Sequence, residues 1–234
     1  VQYVKIKDVI VEQIDSGMLQ PRQKLPSERK LAESFDTTRV TLREALSLLE
    51  SEGKLYREDR RGWFIAPEPL RYDPTQTLNF TGMALEQGRK PKTELLAAKA
   101  MLASKQASQL LNLAPFSDVY RVDRVRYLED RPVVYVTNFI RPELFPNLLD
   151  FDLSLSLTDI YREQFGVVYQ KTRYRIGTTS LLGETAAALR ATSGAPAMVV
   201  ERTNFNQSGD LIDCDIEYWR HDAISIESVA ELAY

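Results

Sequence analysis

The sequence predicts an α+β chain in two domains: a small helical domain ending in a hairpin, then a larger mixed domain built on an antiparallel sheet. Three observations carry this. Apolar residues recur at helical spacing through residues 3–52. From Val119 onward, strand-like runs alternate with short helical ones. Between the two regions, Pro67-Glu68-Pro69-Leu70-Arg71-Tyr72-Asp73-Pro74 holds three prolines in eight residues. Proline donates no helix or ladder hydrogen bond and biases its predecessor to extended backbone. The break sets a first domain at 1–66, a linker at 67–76 and a second domain at 77–234, within the one or two domains that 234 residues allow.

In the first domain, Ile6, Val9, Ile10 and Ile14 mark a helix over 3–16, stopped by Gly17. Ser27 is placed to cap a short second helix, with Glu28 in its first turn and Leu31, Ala32 and Phe35 on its buried face. Asp36-Thr37-Thr38 makes a turn, and Thr38 caps a third helix over 39–52. Its core stripe is Leu42, Ala45, Leu46 and Leu49, and Gly53 ends it. Leu55 to Ile65 reads as two short strands around Asp59-Arg60-Arg61-Gly62. A tight turn between the second and third helices is the helix-turn-helix arrangement, in which the second helix of the pair enters the major groove N-terminus first. Arg39, Thr41 and Arg43 then face base edges and phosphates, and Arg60 and Arg61 on the hairpin face the adjacent backbone or minor groove. Taken singly, these arginines equally suit a solvated helix face.

The ordered set Pro-Ser-Glu-Arg, Thr-Arg-Val-Thr-Leu-Arg-Glu-Ala-Leu, Glu-Gly and Arg-Gly-Trp-Phe strongly resembles the winged-helix domain of GntR-family bacterial transcription regulators over residues 3–66. The resemblance implies DNA contacts at Arg29, Arg39 and Arg43, with a wing at Arg60, Arg61 and Gly62. One departure stands out. The wing of the family reads Gly-x-Gly-Thr-Phe-Val, whereas Arg61-Gly62-Trp63-Phe64-Ile65 stands here. The bulk of Trp63 is expected to alter the wing's reach.

In the second domain a helix is expected over 103–111, then strands over 119–128 and 133–140 joined by the turn Glu129-Asp130-Arg131-Pro132. Tyr120, Val122, Arg124, Arg126 and Leu128 share one face of the first strand. Two guanidiniums two residues apart repel in an apolar site unless an anion sits between them. Phosphate or phosphonate matches their donor geometry, while a sheet edge with solvated arginines is the plain alternative. Ser156 and Thr158 open a helix running to about Phe165, where free N–H groups and hydroxyls suit an anion or ordinary capping. Strands over 169–176, 197–205 and 211–219, and a helix over 184–191, complete the domain. In the last strand Ile212, Cys214, Ile216 and Tyr218 form the core face. Asp213, Asp215, Glu217 and Trp219 form either a solvated face or a pocket wall that accepts an ammonium.

Arg-x-Arg, Ser-Leu-Thr, Gly-Asp-Leu-Ile-Asp and Arg-His-Asp, in that order, resemble the UTRA effector domain of HutC-like GntR regulators over roughly 75–230. That resemblance implies a chorismate-lyase-like fold, a homodimer, double-stranded operator DNA with palindromic half-sites, and a small-molecule effector. The anion clamp of relatives that bind phosphorylated amino sugars falls on Arg124, Arg126 and Ser156, with a further hydroxyl at Thr81. Sugar-reading positions fall instead on Thr158, Val136, Asp213 and Trp219. The run Asp215 to Asp222, with Asp73-Pro74-Thr75-Gln76 and Gln87-Gly88-Arg89, resembles PhnR-type regulators and implies 2-aminoethylphosphonate as effector. Arg124, Arg126, Ser156 and Thr158 would hold its phosphonate, and Asp213, Asp215 or Glu217 its amine. An amino-sugar phosphate is the alternative ligand.

Composition narrows the function classes. The chain has one cysteine and one histidine, so no internal disulfide and no His-rich metal site is expected. A lone His221 and Cys214 also argue against a lyase-like enzyme, which leaves no catalytic residue and no metal to assign. No apolar run approaches the about 20 residues that span a bilayer, so no membrane partner is expected and a cytoplasmic address is. The net charge of -3 argues against nucleic acid only as an average. Residues 1–66 carry 12 Lys/Arg against 11 Asp/Glu, and the acidic surplus belongs to the rest.

Overall fold

The computed structural model describes residues 1–76 and 78–234. The helices are α1 (Gln2–Asp15), α2 (Glu28–Ser34), α3 (Arg39–Ser51), α4 (Phe80–Glu86), α5 (Lys105–Leu111), α6 (Leu157–Phe165) and α7 (Gly183–Ala188). The first strands are β1 (Leu55–Glu58), β2 (Gly62–Ile65), β3 (Leu70–Tyr72), β4 (Pro91–Leu102) and β5 (Asp118–Leu128). The others are β6 (Arg131–Ile140), β7 (Tyr169–Ser180), β8 (Pro196–Asn206), β9 (Leu211–Arg220) and β10 (Ile224–Ile226). They form two compact units. The first holds Val1–Arg71, Ser180–Pro196 and Arg220–Ser225; the second holds Tyr72–Thr179, Ala197–Trp219 and Ile226–Tyr234.

In the first unit, three helices and the β1–β2 hairpin close on a core of Ile6, Ile10, Leu42, Leu46, Leu49, Trp63 and Ile65. Ser27 and Thr38 cap α2 and α3 by accepting from the Lys30 and Thr41 amides, as their positions predict. The hairpin pairs Leu55 with Ile65 and Glu58 with Gly62. Arg60 (φ 61°) and Gly62 (φ 104°) take left-handed backbone at its tip. The bulk of Trp63, expected to alter the wing's reach, is turned into the core. The residue is 5% exposed, because burial removes its large apolar ring from water while its N–H still finds Glu28. Later segments of the chain complete this unit. The Arg220 guanidinium donates to the carbonyls of Leu189 and Arg57, and the His221 ring meets the Glu50 carbonyl at the end of α3. The proline-rich stretch is not featureless: Leu70 and Tyr72 are buried, and β3 pairs with β10.

The second unit is built on a six-stranded sheet ordered β4-β5-β6-β9-β8-β7. The pairs β4/β5, β5/β6 and β6/β9 are antiparallel. Glu129 and Asp130, both left-handed, close the β5–β6 hairpin in the manner of a two-residue primed turn. Strand alternation gives the sheet two faces. On one, Val119, Phe139, Cys214 and Ile216 pack with Ala107 and Leu111 of α5. On the other, Val122 and Ile140 pack with Phe145, Leu157, Ile160 and Tyr161, the last three from α6. No helix among the described residues is long and apolar enough to cross a membrane.

Candidate nucleic-acid interface and candidate effector pocket

In the first unit, α3 turns its Leu42, Ala45, Leu46 and Leu49 face inward, and Arg39 and Arg43 stand exposed on the flank beside it. Both guanidiniums reach one carboxylate. Arg43 Nε donates to Glu28 Oε2 at 2.7 Å, and Arg39 Nη2 approaches the same oxygen at 3.4 Å. Arg29 is exposed on α2 and pairs with Glu33 at 2.9 Å. Thr41 is half-buried; its amide serves the Thr38 cap and its hydroxyl lies 3.0 Å from that of Thr38. Arg60 is exposed at the hairpin tip, and Arg61 pairs with Glu58 at 2.7 Å. Thus Arg29, Arg39, Arg43, Arg60 and Arg61 are all surface cations, and Thr41 is chiefly a helix-capping partner. Sequence reasoning passed over Val40, a 78% exposed apolar residue in the first turn of α3 that suits a thymine methyl group.

The second unit holds a cleft-like cavity of about 770 Å³. Register explains its wall. Across β5, β6 and β9, Arg124 faces Val136, which faces Glu217; in the next row Arg126 faces Val134, which faces Trp219. Directly opposed residues point to the same side of a sheet, so the guanidiniums and the acidic strand share one face, two strands or about 10 Å apart.

At the cationic end, Arg124 is 2% exposed. It donates to Asn138 Oδ1 at 2.9 Å and to the Leu155 carbonyl at 3.3 Å, while its buried Nε meets no hydrogen-bond partner. Arg126 donates to Thr93 at 3.2 Å and lies 5.3 Å from the centre of the Phe80 ring. Burial pushes both guanidiniums below their ordinary range; for Arg126 the Arg124 charge adds to it and the result is about 9. Ser156 caps α6, accepts from Asn79 Nδ2 at 3.0 Å and lies 2.8 Å from the Thr158 hydroxyl. With its lone pairs engaged by the Asp159 amide and Asn79, its proton serves the Thr158 hydroxyl, whose own proton remains to donate. Ser156, Thr158, Arg124 and Arg126 all line the cavity.

At the acidic end the structure separates the four residues of β9. Asp215, Glu217 and Trp219 line the cavity and Asp213 does not. Asp213 is fully buried and accepts from Tyr161, Tyr169 and Asn204 at 2.8, 2.6 and 2.8 Å, so its oxygens are committed inside the protein. Thr81 is exposed on α4 and outside the lining, because α4 turns Phe80, Met83 and Ala84 inward instead. Trp219 stands at an angle to Tyr72 and Phe80 and donates to Glu217 at 2.8 Å. Arg202, which strand spacing does not single out, reaches Asp215 at 3.1 Å and Glu217 at 3.8 Å. The acidic wall therefore already holds a cation. Tyr161, Tyr169, Tyr174 and Lys171 also line the cavity.

Burial and the neighbouring Asp215 charge push Glu217 up to about 8, from an ordinary 4.5. A carboxyl whose folded pKa lies above its unfolded value contributes stability that is complete at low pH and lost as pH rises through that window. The melting temperature of the empty protein should fall between about pH 5 and pH 8, and Glu217→Gln should flatten that fall. An unchanged pH slope in the variant would show that Glu217 ionises freely.

A winged helix-turn-helix in the same chain as a cavity floored by paired guanidiniums defines a class: transcription regulators that bind DNA and answer to a small molecule. Comparison with known proteins narrows this. The profile of the bacterial regulatory proteins, gntR family, matches residues 2–65, and that of the UTRA domain matches residues 86–225. The HTH-type transcriptional regulator YihL of Escherichia coli K12 is 30% identical over 94% of both chains. The HTH-type transcriptional repressor NagR of Bacillus subtilis is 28% identical over 94% of this chain and 90% of its own. The crystal structure of PhnF from Mycobacterium smegmatis superposes with a TM-score of 0.68 at 23% identity, covering 97% of this chain and 100% of that one. The chain belongs to the GntR family and carries the UTRA domain of its HutC-like branch.

Proposed function

We propose that the protein is a homodimeric repressor released from palindromic operator DNA by a metabolite bearing a phosphorus oxyanion. The observation that carries the ligand class is the buried, unpartnered Nε of Arg124 beside the depressed Arg126, both lining the cavity of the second unit. An oxyanion accepts that donor and offsets the repulsion between the two cations. The repressor reading draws on the likeness to NagR, a repressor by name. The dimer reading draws on β4, a 12-residue edge strand that leaves Leu95, Leu96 and Leu102 exposed.

Within this class the first candidate is 2-aminoethylphosphonate, with phosphonate on Arg124, Arg126, Ser156 and Thr158 and its ammonium toward Asp215 and Glu217. The target would then be a phosphonate uptake or degradation operon. Two observations favour a second ligand, an amino-sugar phosphate. The cavity of about 770 Å³ is of the size that holds much larger molecules. Arg202 also partly neutralises the acids, which leaves them as suited to hydroxyls as to an ammonium.

Calorimetry on the full chain with 2-aminoethylphosphonate, glucosamine-6-phosphate and inorganic phosphate, paired with mobility shifts on its upstream DNA, tests the reading. Micromolar binding of one phosphorus compound, with loss of the shifted band, is expected. Heat from glucosamine-6-phosphate alone would move the assignment to the second ligand. Silence from all three would remove the oxyanion, and a monomer in sedimentation would remove the dimer.

A further inference from the structure

The Glu28 carboxylate of α2 lies where three donors from two other elements converge. From β2, Trp63 Nε1 donates to Oε1 at 3.2 Å. From α3, Arg43 Nε donates to Oε2 at 2.7 Å and Arg39 Nη2 approaches it at 3.4 Å. The Glu28 side chain is only 11% exposed, whereas those of Arg43 and Arg39 are 56% and 59% exposed. The carboxylate is thus the more enclosed member and the guanidiniums are the exposed ones. Burial alone would raise the Glu28 pKa, yet the bonds from Arg43 and Trp63 hold it below the usual carboxylate range. It is ionised wherever the protein works.

The atoms used matter. Arg43 is held through Nε, on the inner edge of its guanidinium. That leaves the Nη1/Nη2 end as its free fork, the end that meets guanine O6 and N7 end-on. The indole N–H occupies the other carboxylate oxygen and so keeps Oε2 turned to α3. We infer that Glu28, locked by Trp63, is a positioning residue for base readout: it presents Arg43 end-on to the groove and steadies Arg39 beside it. The inference rests on Arg39 and Arg43 being DNA-contacting groups.

A free arginine spreads over many rotamers and finds phosphates as readily as bases. One pinned at Nε has lost that freedom before binding, so it favours the site whose guanine lies on its axis. Removing the pin should therefore affect discrimination more than general affinity. Gln is a poor substitute at position 28. Both oxygens face donors, and an amide supplies one acceptor and turns its own N–H groups toward the other donor.

The test uses the full-length chain and two duplexes: one selected by the wild type from a randomised pool, and a scrambled one of equal length. Glu28→Gln and Trp63→Phe should each lower the ratio of selected to scrambled affinity by about tenfold, with scrambled binding and its salt slope unchanged. Trp63→Phe keeps an aromatic ring in the core and removes only the N–H and part of the ring, so it covers the case in which Glu28→Gln melts early. In an Arg43→Ala background, Glu28→Gln should have almost no further effect on the ratio, because the two act as one unit.

If Arg43→Ala lowers the ratio but neither Glu28→Gln nor Trp63→Phe does, the positioning role is wrong and the DNA contact stands. If Arg43→Ala and Arg39→Ala leave both duplexes unaffected, the contact assignment itself fails. Tighter binding of both duplexes by Glu28→Gln would show a carboxylate competing with DNA for the guanidiniums and would overturn the inference. Equal weakening on both duplexes would reduce it to a structural role.

Discussion

Arg124→Ala is expected to weaken the phosphorus-bearing effector by about 100-fold while leaving the protein folded. Hydrogen bonds to a charged partner contribute about 1.5–3 kcal/mol each, and two donors lost from one guanidinium come to about 3 kcal/mol, or about 100-fold. The structural cost is smaller than the burial of Arg124 suggests. Alanine leaves Asn138 Oδ1 and the Leu155 carbonyl without this donor, but it also removes one of two cations crowded in a desolvated site. Arg126, held at about 9 by burial and by Arg124, should then titrate nearer its ordinary range. The pH dependence is a second signature. In the wild type, effector affinity should decline as pH rises through about 9 and Arg126 gives up its proton. In the variant that decline should move to higher pH. Arg124→Lys keeps a charge but not a planar fork, so an intermediate loss is expected. Calorimetry across pH 7 to 10 reads both effects, and affinity within twofold of wild type would place the oxyanion elsewhere.

The first unit was legible in the sequence almost residue by residue, because its signals are local. The expected helix over 3–16 is Gln2–Asp15, and the stripe of Leu42, Ala45, Leu46 and Leu49 is the buried face of α3. Trp63 is the exception. Its direction depends on whether a strand position faces the core, and a four-residue strand beside a turn carries too little alternation to say. The second unit was legible in parts. Strands β5 and β9 alternate and β6 is an apolar run after a turn, and the bounds of all three shift by only one or two residues. Strand β4 was missed because it is an edge strand, mostly exposed on both faces, and Lys-Thr-Glu-Leu-Leu-Ala-Ala-Lys-Ala has no period of two. Helix α4 was missed because Gly82 sits inside its seven residues and weakens the helical signal.

The pocket wall was legible as a face but not as a set of partners. Alternation puts Asp213, Asp215, Glu217 and Trp219 together. Nothing local shows that Tyr161, Tyr169 and Asn204 converge on the first of them, or that Arg202 crosses from β8 to the next two. Those are pairings between residues 9 to 52 positions apart in the chain. Only the folded sheet brings them within hydrogen-bond reach.

That difference gives Asp213 and its neighbours on β9 opposite expected phenotypes. Asp213→Ala should destabilise the second unit by about 3 kcal/mol and barely change effector affinity. Two tyrosine hydroxyls and the Asn204 amide lose their acceptor in a buried space, and each stranded donor costs about 1–3 kcal/mol. Part of this is offset. Asn204 keeps Asp215 at 3.2 Å, and removing a buried carboxylate relieves its own desolvation. Burial already pushes Asp213 up to about 6 from an ordinary 3.8. Because its folded pKa is the raised one, the wild type loses stability as pH rises from about 4 to about 6. Asp213→Asn has no such titration, so its deficit against the wild type should shrink over that window. Urea unfolding at pH 4 and pH 7 measures both variants, and calorimetry on the folded variants measures the ligand. A large loss of effector affinity in Asp213→Ala with an unmoved urea midpoint would return this carboxylate to the ligand. It would also mean that Tyr161 and Tyr169 release it when the cavity fills.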